Sequence, residues 1–161
     1  MPTITPHLWF DQEAREAAEL YCSIFPNSKV LEVRDYGEVG PDEGVSVRTV
    51  TFKLKGQRVI ALDAGPAFKF DEAFSFFVEC DTQEEVDEYW ARLTADGGEE
   101  GQCGWLKDKY GLSWQIIPKL LDELLQDEDT DRANRVMEAM LQMKKIECDV
   151  LREAYEQPVS A

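Results

Sequence analysis

The chain has 161 residues, 43% of them hydrophobic, and its 17 Lys and Arg against 33 Asp and Glu give a formal net charge of −16. An acidic surface repels phosphate backbones and anionic lipids, so the composition argues against nucleic-acid and membrane partners. No apolar segment approaches the roughly 20 residues of a membrane span, and the opening "MPTITPHLWF" lacks the features of a signal peptide, so we expect a soluble cytoplasmic protein.

The first part of the chain predicts a strand, a helix and three further strands. The helix carries one apolar stripe at helical spacing, and Asp11 is placed to cap its beginning. Apolar and polar residues alternate from Thr49 to Leu54, as in one strand of a half-buried hairpin. In chain order, the predicted elements are a strand (3–10), a helix ending at "FPNSK" (25–29), a strand (30–37), a loop (38–44) and a β-hairpin (45–66) with its turn at 55–57.

A second, similar series of elements follows: a strand, a helix and a hairpin. Asp81 or Thr82, with an acidic residue behind it, predicts a helix cap, and the glycine pair at 97–98 predicts the end of that helix. The predicted elements are a strand (74–80), a helix (81–98) and a hairpin (101–118) with its turn at Tyr110-Gly111.

These elements predict an α+β protein of two βαβββ modules in a single domain over 1–161. The segments "FDQEAREAAELY" and "CDTQEEVDEYW" echo each other about 70 residues apart, which favours a duplicated module. The first module spans about 3–66, the second about 72–119, and a C-terminal helical segment about 120–157. Within that last segment an apolar stripe favours a core or dimer contact over a ligand groove; it consists of Val136, Met137, Met140 and Met143.

Alternation along the strands divides their side chains between two faces. One face is apolar and is expected to pack against the helices: Leu8, Phe10, Ile60, Leu62, Phe74, Phe76, Val78, Trp114 and Ile116. The other face mixes aromatic, small and polar groups, a composition typical of a ligand cup: Thr5, His7, Trp9, Ala61, Asp63, Ser75, Phe77, Ser113, Gln115 and Ile117.

Gln115 is the residue on which the interpretation of this cup depends. A half-buried amide offers both a donor and an acceptor, and each needs a partner. It is either a core amide bonded to Ser75 or to backbone, or an anchor for a ligand, and the sequence favours neither.

The remaining cup candidates have structural alternatives of their own. The single histidine, His7, is more typical of a core or rim position than of a catalyst, unless Asp63 or Glu79 lies beside it. Asp63 sits at the turn "DAGP", where aspartate commonly bonds nearby backbone. Trp105, like Trp9, is either a wall or core. Cys103 could be a nucleophile, although nothing near it in sequence would activate the thiol.

Four segments resemble the PhnB-like family, also labelled demethylubiquinone methyltransferase-like, of the vicinal oxygen chelate superfamily: "ITPHLWFDQEAREAAELYCSIFPNSKV", "DAGPAFKFDEAFSFFVECDTQEEVDEYW", "CGWLKDKYGLSWQIIP" and "VMEAMLQMKKIECDVLREAY". The resemblance implies a curled mixed sheet from two βαβββ modules, a homodimer, and metal positions that fall here on Thr5, Ala61, Ser75 and Gln115. Two hydroxyls, a methyl and an amide do not suit a divalent metal centre. No glycine-rich turn opens a helix after a buried strand, so we expect no S-adenosylmethionine cofactor.

We therefore expect a metal-free homodimer that binds a small organic molecule. Two alternatives stay open: an isomerase, lyase or transferase using His7 or Cys103, and an interaction protein with a filled, vestigial cup. No catalytic residue and no cofactor is assigned. The candidate ligand-binding residues are His7, Trp9, Asp63, Ser75, Phe77, Cys103, Trp105 and Gln115.

Overall fold

The structure, a computed structural model, describes residues 2–39 and 42–158. Two residues of the predicted loop 38–44 therefore lie outside the described ranges. The chain divides into two compact units, Met1–Phe70 and Asp71–Ala161. None of the described helices is long and apolar enough to cross a bilayer.

The first unit contains the predicted strand, helix and three strands. Its sheet has the order β1-β4-β3-β2, in which β1 and β4 are parallel and the other neighbours antiparallel. Its elements are β1 (His7–Phe10), α1 (Ala14–Ile24), β2 (Lys29–Gly37), β3 (Val47–Leu54) and β4 (Gln57–Asp63).

The second unit repeats that order and adds three helices. Its sheet runs β5-β8-β7-β6, again with the first two strands parallel. Its elements are β5 (Ser75–Cys80), α2 (Gln83–Thr94), β6 (Glu99–Glu100), β7 (Trp105–Lys107), β8 (Ser113–Pro118), α3 (Lys119–Leu125), α4 (Thr130–Leu141) and α5 (Cys148–Glu156). The mixed α+β fold predicted from the sequence is confirmed.

The two sheet helices begin in different ways. For α2 the predicted cap is confirmed, because Thr82 accepts a hydrogen bond from the Glu85 amide at 3.2 Å. For α1 the prediction of an Asp11 cap is wrong. The Ala14 amide donates instead to Asp63 Oδ1 at 2.8 Å, across 49 residues of sequence.

The hairpins also close differently. Leu54 pairs with Gln57, so the turn of the first hairpin is the two residues Lys55 and Gly56, one fewer than predicted. Both have positive φ (47° and 85°), as a type I′ turn requires. The second hairpin closes through a longer loop, in which the carboxylate of Asp108 accepts three hydrogen bonds.

The register confirms the predicted faces in the second sheet but not in the first. Ser75 pairs with Ser113 and Phe77 with Gln115, so these side chains share a face as predicted. In the first sheet Leu8 pairs with Ala61 and Phe10 with Asp63. Neighbouring residues in register point to the same side. Placing Ala61 and Asp63 with His7 and Trp9 was therefore wrong, and Ile60 and Leu62 take that side instead. Thr5 lies before β1 and outside the sheet.

The C-terminal helices bury most of the apolar stripe inside the second unit. Val136 and Met143 are 0% and 8% exposed and belong to one core cluster with Ile117, Leu121, Ile146 and Leu151. Met140 packs against that cluster, and Met137 is 39% exposed. The core contact that the sequence favoured is therefore found for Val136 and Met143.

Candidate functional site

Three side chains form a row across the middle of the second sheet. Phe77 on β5 pairs with Gln115 on β8, and Gln115 pairs in turn with Trp105 on β7. Because residues in register share a face, an amide lies between two aromatic rings. Phe77 is 57% exposed, and Trp105 and Gln115 are half-buried. The row is therefore accessible to a ligand.

This row forms one side of an open pocket of about 470 Å³. That volume falls within the range typical of small-molecule sites. The sheet side consists of Phe77, Glu79, Cys103, Trp105, Gln115 and Ile117. The helix side consists of Pro118, Leu121, Asp122, Leu125 and Met140, contributed by the end of β8, by α3 and by α4.

The hydrogen bond of Gln115 answers one question that the sequence left open. Gln115 Nε2 donates to Ser75 Oγ at 3.1 Å, as the structural alternative predicted. Among the described residues, the amide oxygen Oε1 has no hydrogen-bond partner. Gln115 is thus held in place by Ser75 while an acceptor stays available at the pocket.

The helix side is fixed to the sheet side by backbone hydrogen bonds. The Cys103 amide donates to the Met143 carbonyl, and the Gly104 amide to the Lys144 carbonyl, both at 2.8 Å. Cys103 has a left-handed φ of 56°, which turns its amide toward the C-terminal segment. Its half-buried thiol lines the pocket.

The charged groups at the pocket are mostly acidic. Lys119 Nζ lies 2.5 Å from Asp81 Oδ1 and 4.0 Å from Glu79 Oε1. The hydrogen bond to Asp81 raises the pKa of Lys119 above its usual value. Asp122 accepts a hydrogen bond from Gln126 at 2.8 Å. This lining is unfavourable for an anion, because its charged residues, Glu79 and Asp122, are acidic and Lys119 is paired with Asp81 and Glu79.

A second pocket of about 490 Å³ shares Trp105 with the first. Its lining carries more charged residues, Glu72, Glu99, Glu100 and Lys107. Lys107 pairs with Glu72, and Glu99 lies opposite Lys107 in the strand register. The Ser113 hydroxyl, which belongs to this lining, is buried and has no hydrogen-bond partner among the described residues.

The other three predicted ligand-binding residues belong to the first unit. His7 is exposed at the start of β1, and its side chain makes no hydrogen bond or ion pair with any of the described residues. Trp9 donates to the Gly65 carbonyl at 2.9 Å and stacks edge-on against Phe68. Asp63 is 2% exposed, and burial raises its pKa, an effect that the Ala14 amide partly offsets. Its bond to Ala14 gives Asp63 a structural role and replaces the predicted bond within its own turn.

Sequence reasoning missed the helix side of the pocket. Leu121, Leu125 and Met140 were all part of a generic helical pattern, and periodicity identifies an apolar stripe without saying which element it meets. The packing of α3 and α4 against Ile117 decides that question. Pro118 was a useful signal for this wall. A proline at the end of a strand commonly precedes a helix, and here α3 begins directly after β8 and so lies next to it.

The positions that carry metal ligands in the superfamily do not fit a metal here. Ala61 is fully buried and lies on the side of the first sheet opposite to His7 and Trp9. Its methyl side chain has no atom that could bind a metal. Ser75 and Gln115 are neutral and bonded to each other. No group of three or more His, Cys, Asp or Glu side chains that could hold a metal ion occurs within residues 2–39 and 42–158.

Comparison with known proteins places this architecture in a family. The model of the family described as 3-demethylubiquinone-9 3-methyltransferase matches residues 2–117. The match ends before α3, so "VMEAMLQMKKIECDVLREAY" lies outside it. A search of the curated proteins gives no match.

Solved structures agree with this assignment. A PhnB protein of Bacillus cereus, described as a 3-demethylubiquinone-9 3-methyltransferase, is 35% identical with a TM-score of 0.64, over 73% of this chain and 99% of that one. Two more distant structures share the fold: a Pseudomonas aeruginosa protein (18% identity, TM-score 0.58, 73% and 98% covered) and the fosfomycin resistance protein FosX of Listeria monocytogenes (19%, 0.55, 78% and 98%). The chain therefore belongs to the 3-demethylubiquinone-9 3-methyltransferase-like, or PhnB-like, family of the vicinal oxygen chelate superfamily.

Proposed function

We propose that the protein binds a small organic molecule, without a metal, in the pocket between the second sheet and helices α3 and α4. One observation carries the proposal: Gln115 stands between Phe77 and Trp105 on the face that lines the pocket. Aromatic walls with a single hydrogen-bonding group between them are typical of small-molecule sites. The aromatic rings supply contact area, and the amide orients the ligand.

The family name suggests methyl transfer, which we do not propose for this chain. A nucleoside cofactor of that kind is usually held by a glycine-rich turn between a buried strand and a helix. The strand-to-helix connections here are "DQE" (11–13) and "DT" (81–82), without glycine. We expect isothermal titration calorimetry to detect no binding of S-adenosylmethionine, and saturable binding at micromolar concentration would contradict this.

A fragment experiment tests the binding site. A panel of neutral aromatic fragments carrying a hydroxyl or amide is screened by saturation-transfer NMR against the wild type, Gln115→Leu and Gln57→Leu. Gln57 is an exposed strand amide of the first unit, so the same substitution there is a matched control. We expect several fragments to bind the wild type and Gln57→Leu, with at least tenfold weaker binding to Gln115→Leu. The proposal fails if no fragment depends on Gln115.

We also propose that the protein is a homodimer. The edge strand β2 supports this, because its apolar side chains Leu31, Val33 and Tyr36 are 38–49% exposed. An exposed apolar strand at a sheet edge is a surface suited to pairing. Sedimentation equilibrium at micromolar concentration is expected to give twice the chain mass, and a mass near 18.4 kDa would contradict the dimer.

A further inference from the structure

We infer that the ligand is a neutral amphipathic molecule and that the C-terminal helices set the length of its apolar part. Its hydrogen-bonding group would contact Gln115, and its apolar part would lie against Leu125 and Met140. This inference rests on the proposed function and adds to it a chemical class and two specificity-determining residues. Both residues lie beyond residue 117, where the family match ends.

The helix side of the pocket can set a length because it is anchored at several points. Besides the bonds from Cys103 and Gly104, Gln83 Nε2 donates to the Ile146 carbonyl at 3.0 Å, and Gln83 Oε1 accepts from the Cys148 amide at 2.7 Å. Ile146 is fully buried in the cluster shared with Ile117 on β8. A wall held in this way limits how far a ligand extends.

Apart from Asp122, the surface presented by that wall is apolar. Leu125 and Met140 each line the pocket and pack against the buried cluster. Leu121, 5% exposed, lies in the same lining. Each methylene placed against such a surface strengthens binding roughly fourfold, until the wall stops the chain.

The opposite end of the ligand is defined by Gln115. Its amide nitrogen donates one N–H to Ser75, so the Oε1 acceptor and the second N–H stay available, and a hydroxyl group, which both donates and accepts, suits them. The carboxylates of Glu79 and Asp122 belong to the lining and disfavour a negative charge. An uncharged donor attached to an apolar body satisfies both conditions.

A series of 4-alkylphenols, from methyl to hexyl, tests the length limit by isothermal titration calorimetry. The variants are Leu125→Ala, Leu124→Ala and Gln115→Leu, the last to show which compounds depend on Gln115. Both leucines are half-buried and pack against the same cluster, but only Leu125 lines the pocket. Wild type and Leu124→Ala are expected to reach maximal affinity at the same alkyl length. Leu125→Ala opens the wall, so its maximal affinity is expected at an alkyl chain one or two methylenes longer. The corresponding 4-alkylbenzoates are expected to bind wild type at least tenfold more weakly.

The outcomes separate this inference from the proposed function. Gln115-dependent binding with the same optimum in Leu125→Ala and wild type overturns the role of the C-terminal helices alone. Equal or tighter binding of the benzoates overturns the neutral class. If neutral fragments depend on Gln115 and no alkylphenol does, the amphipathic class is wrong while the site stands. If no compound of either set depends on Gln115, the proposed function itself is wrong.

Discussion

The two sheets have the same strand order, yet their last parallel pairs differ. In the first sheet that pair is Phe10 with Asp63, and in the second it is Cys80 with Pro118. Asp63 reaches back to the first amide of α1, whose own preceding residue, Glu13, makes no side-chain cap. In the second sheet Thr82 caps α2 locally. The end of β8 therefore has no capping role and is occupied by Pro118. Helix α3, which forms part of the pocket wall, follows directly.

The comparison shows that equivalent positions need not have equivalent roles. A carboxylate at the end of a buried strand is a common position for a site residue, and Asp63 looked like one. In this structure Asp63 instead caps the beginning of α1. The pocket arises in the unit where the cap is local and three additional helices follow the sheet.

The largest expected loss of stability is at Asp108, in the loop of the second hairpin. The first hairpin, with its two-residue turn, has no such loop. Asp108 is 2% exposed and accepts from the amides of Tyr110 and Leu112 and from Trp114 Nε1, at 2.9 to 3.0 Å. Asp108→Ala leaves buried donors without partners, at about 3 kcal/mol of unfolding free energy. Urea denaturation measures this loss. Lys109→Ala, an exposed change in the same loop, is the control and is expected to cost about 0.5 kcal/mol or less. An equal effect of both changes would show that Asp108 does not organise the loop.

The next largest losses of stability are expected at the two helix caps. Asp63→Ala is expected to cost about 2 kcal/mol, because it removes a buried acceptor. Thr82→Ala is expected to cost about 1 kcal/mol, since its cap is exposed to water. Urea midpoints of the two variants compare them directly. A larger loss for Thr82→Ala would contradict the assignment of Asp63 as the stronger cap.

A smaller effect depends on pH. Burial raises the pKa of Asp63 above its ordinary value of 3.8, so the folded protein holds the proton more tightly than the unfolded chain. Asp63 therefore favours folding most below pH 3.8, and this contribution is lost as pH rises through the raised pKa. Relative to Asp63→Asn, the wild type should lose stability between pH 3 and 7 in urea titrations. A relative gain over that range would show that the Ala14 hydrogen bond outweighs burial.

The smallest expected effect is that of metal removal. If neither unit holds a functional metal, EDTA leaves the melting temperature unchanged, and protein purified without chelator carries far less than one equivalent of Zn, Ni, Mn or Fe. Thermal denaturation and elemental analysis measure these quantities. A stoichiometric metal whose loss lowers the melting temperature would contradict the proposal of a metal-free protein.

Local patterns were sufficient to predict much of this fold. The α1 stripe from Ala14 to Ile24, the Thr82 cap and the alternation around Gln115 all depend on neighbours within a few residues. Three features depend on contacts distant in sequence and were missed. The cap on α1 comes from 49 residues away, and the side of β4 that is buried follows from its register with β1. The pocket wall, likewise, is defined only by how α3 and α4 pack.

The most direct test of the account is an NMR titration of isotope-labelled protein with 4-ethylphenol, which compares the two units in one experiment. We predict that the largest shift changes occur at Phe77, Trp105 Nε1 and the side-chain amide of Gln115. Trp9 Nε1 in the first unit, bonded to Gly65, would stay unchanged. Shift changes concentrated at Trp9 and His7, with Gln115 unaffected, would place the ligand on the first unit and contradict the account.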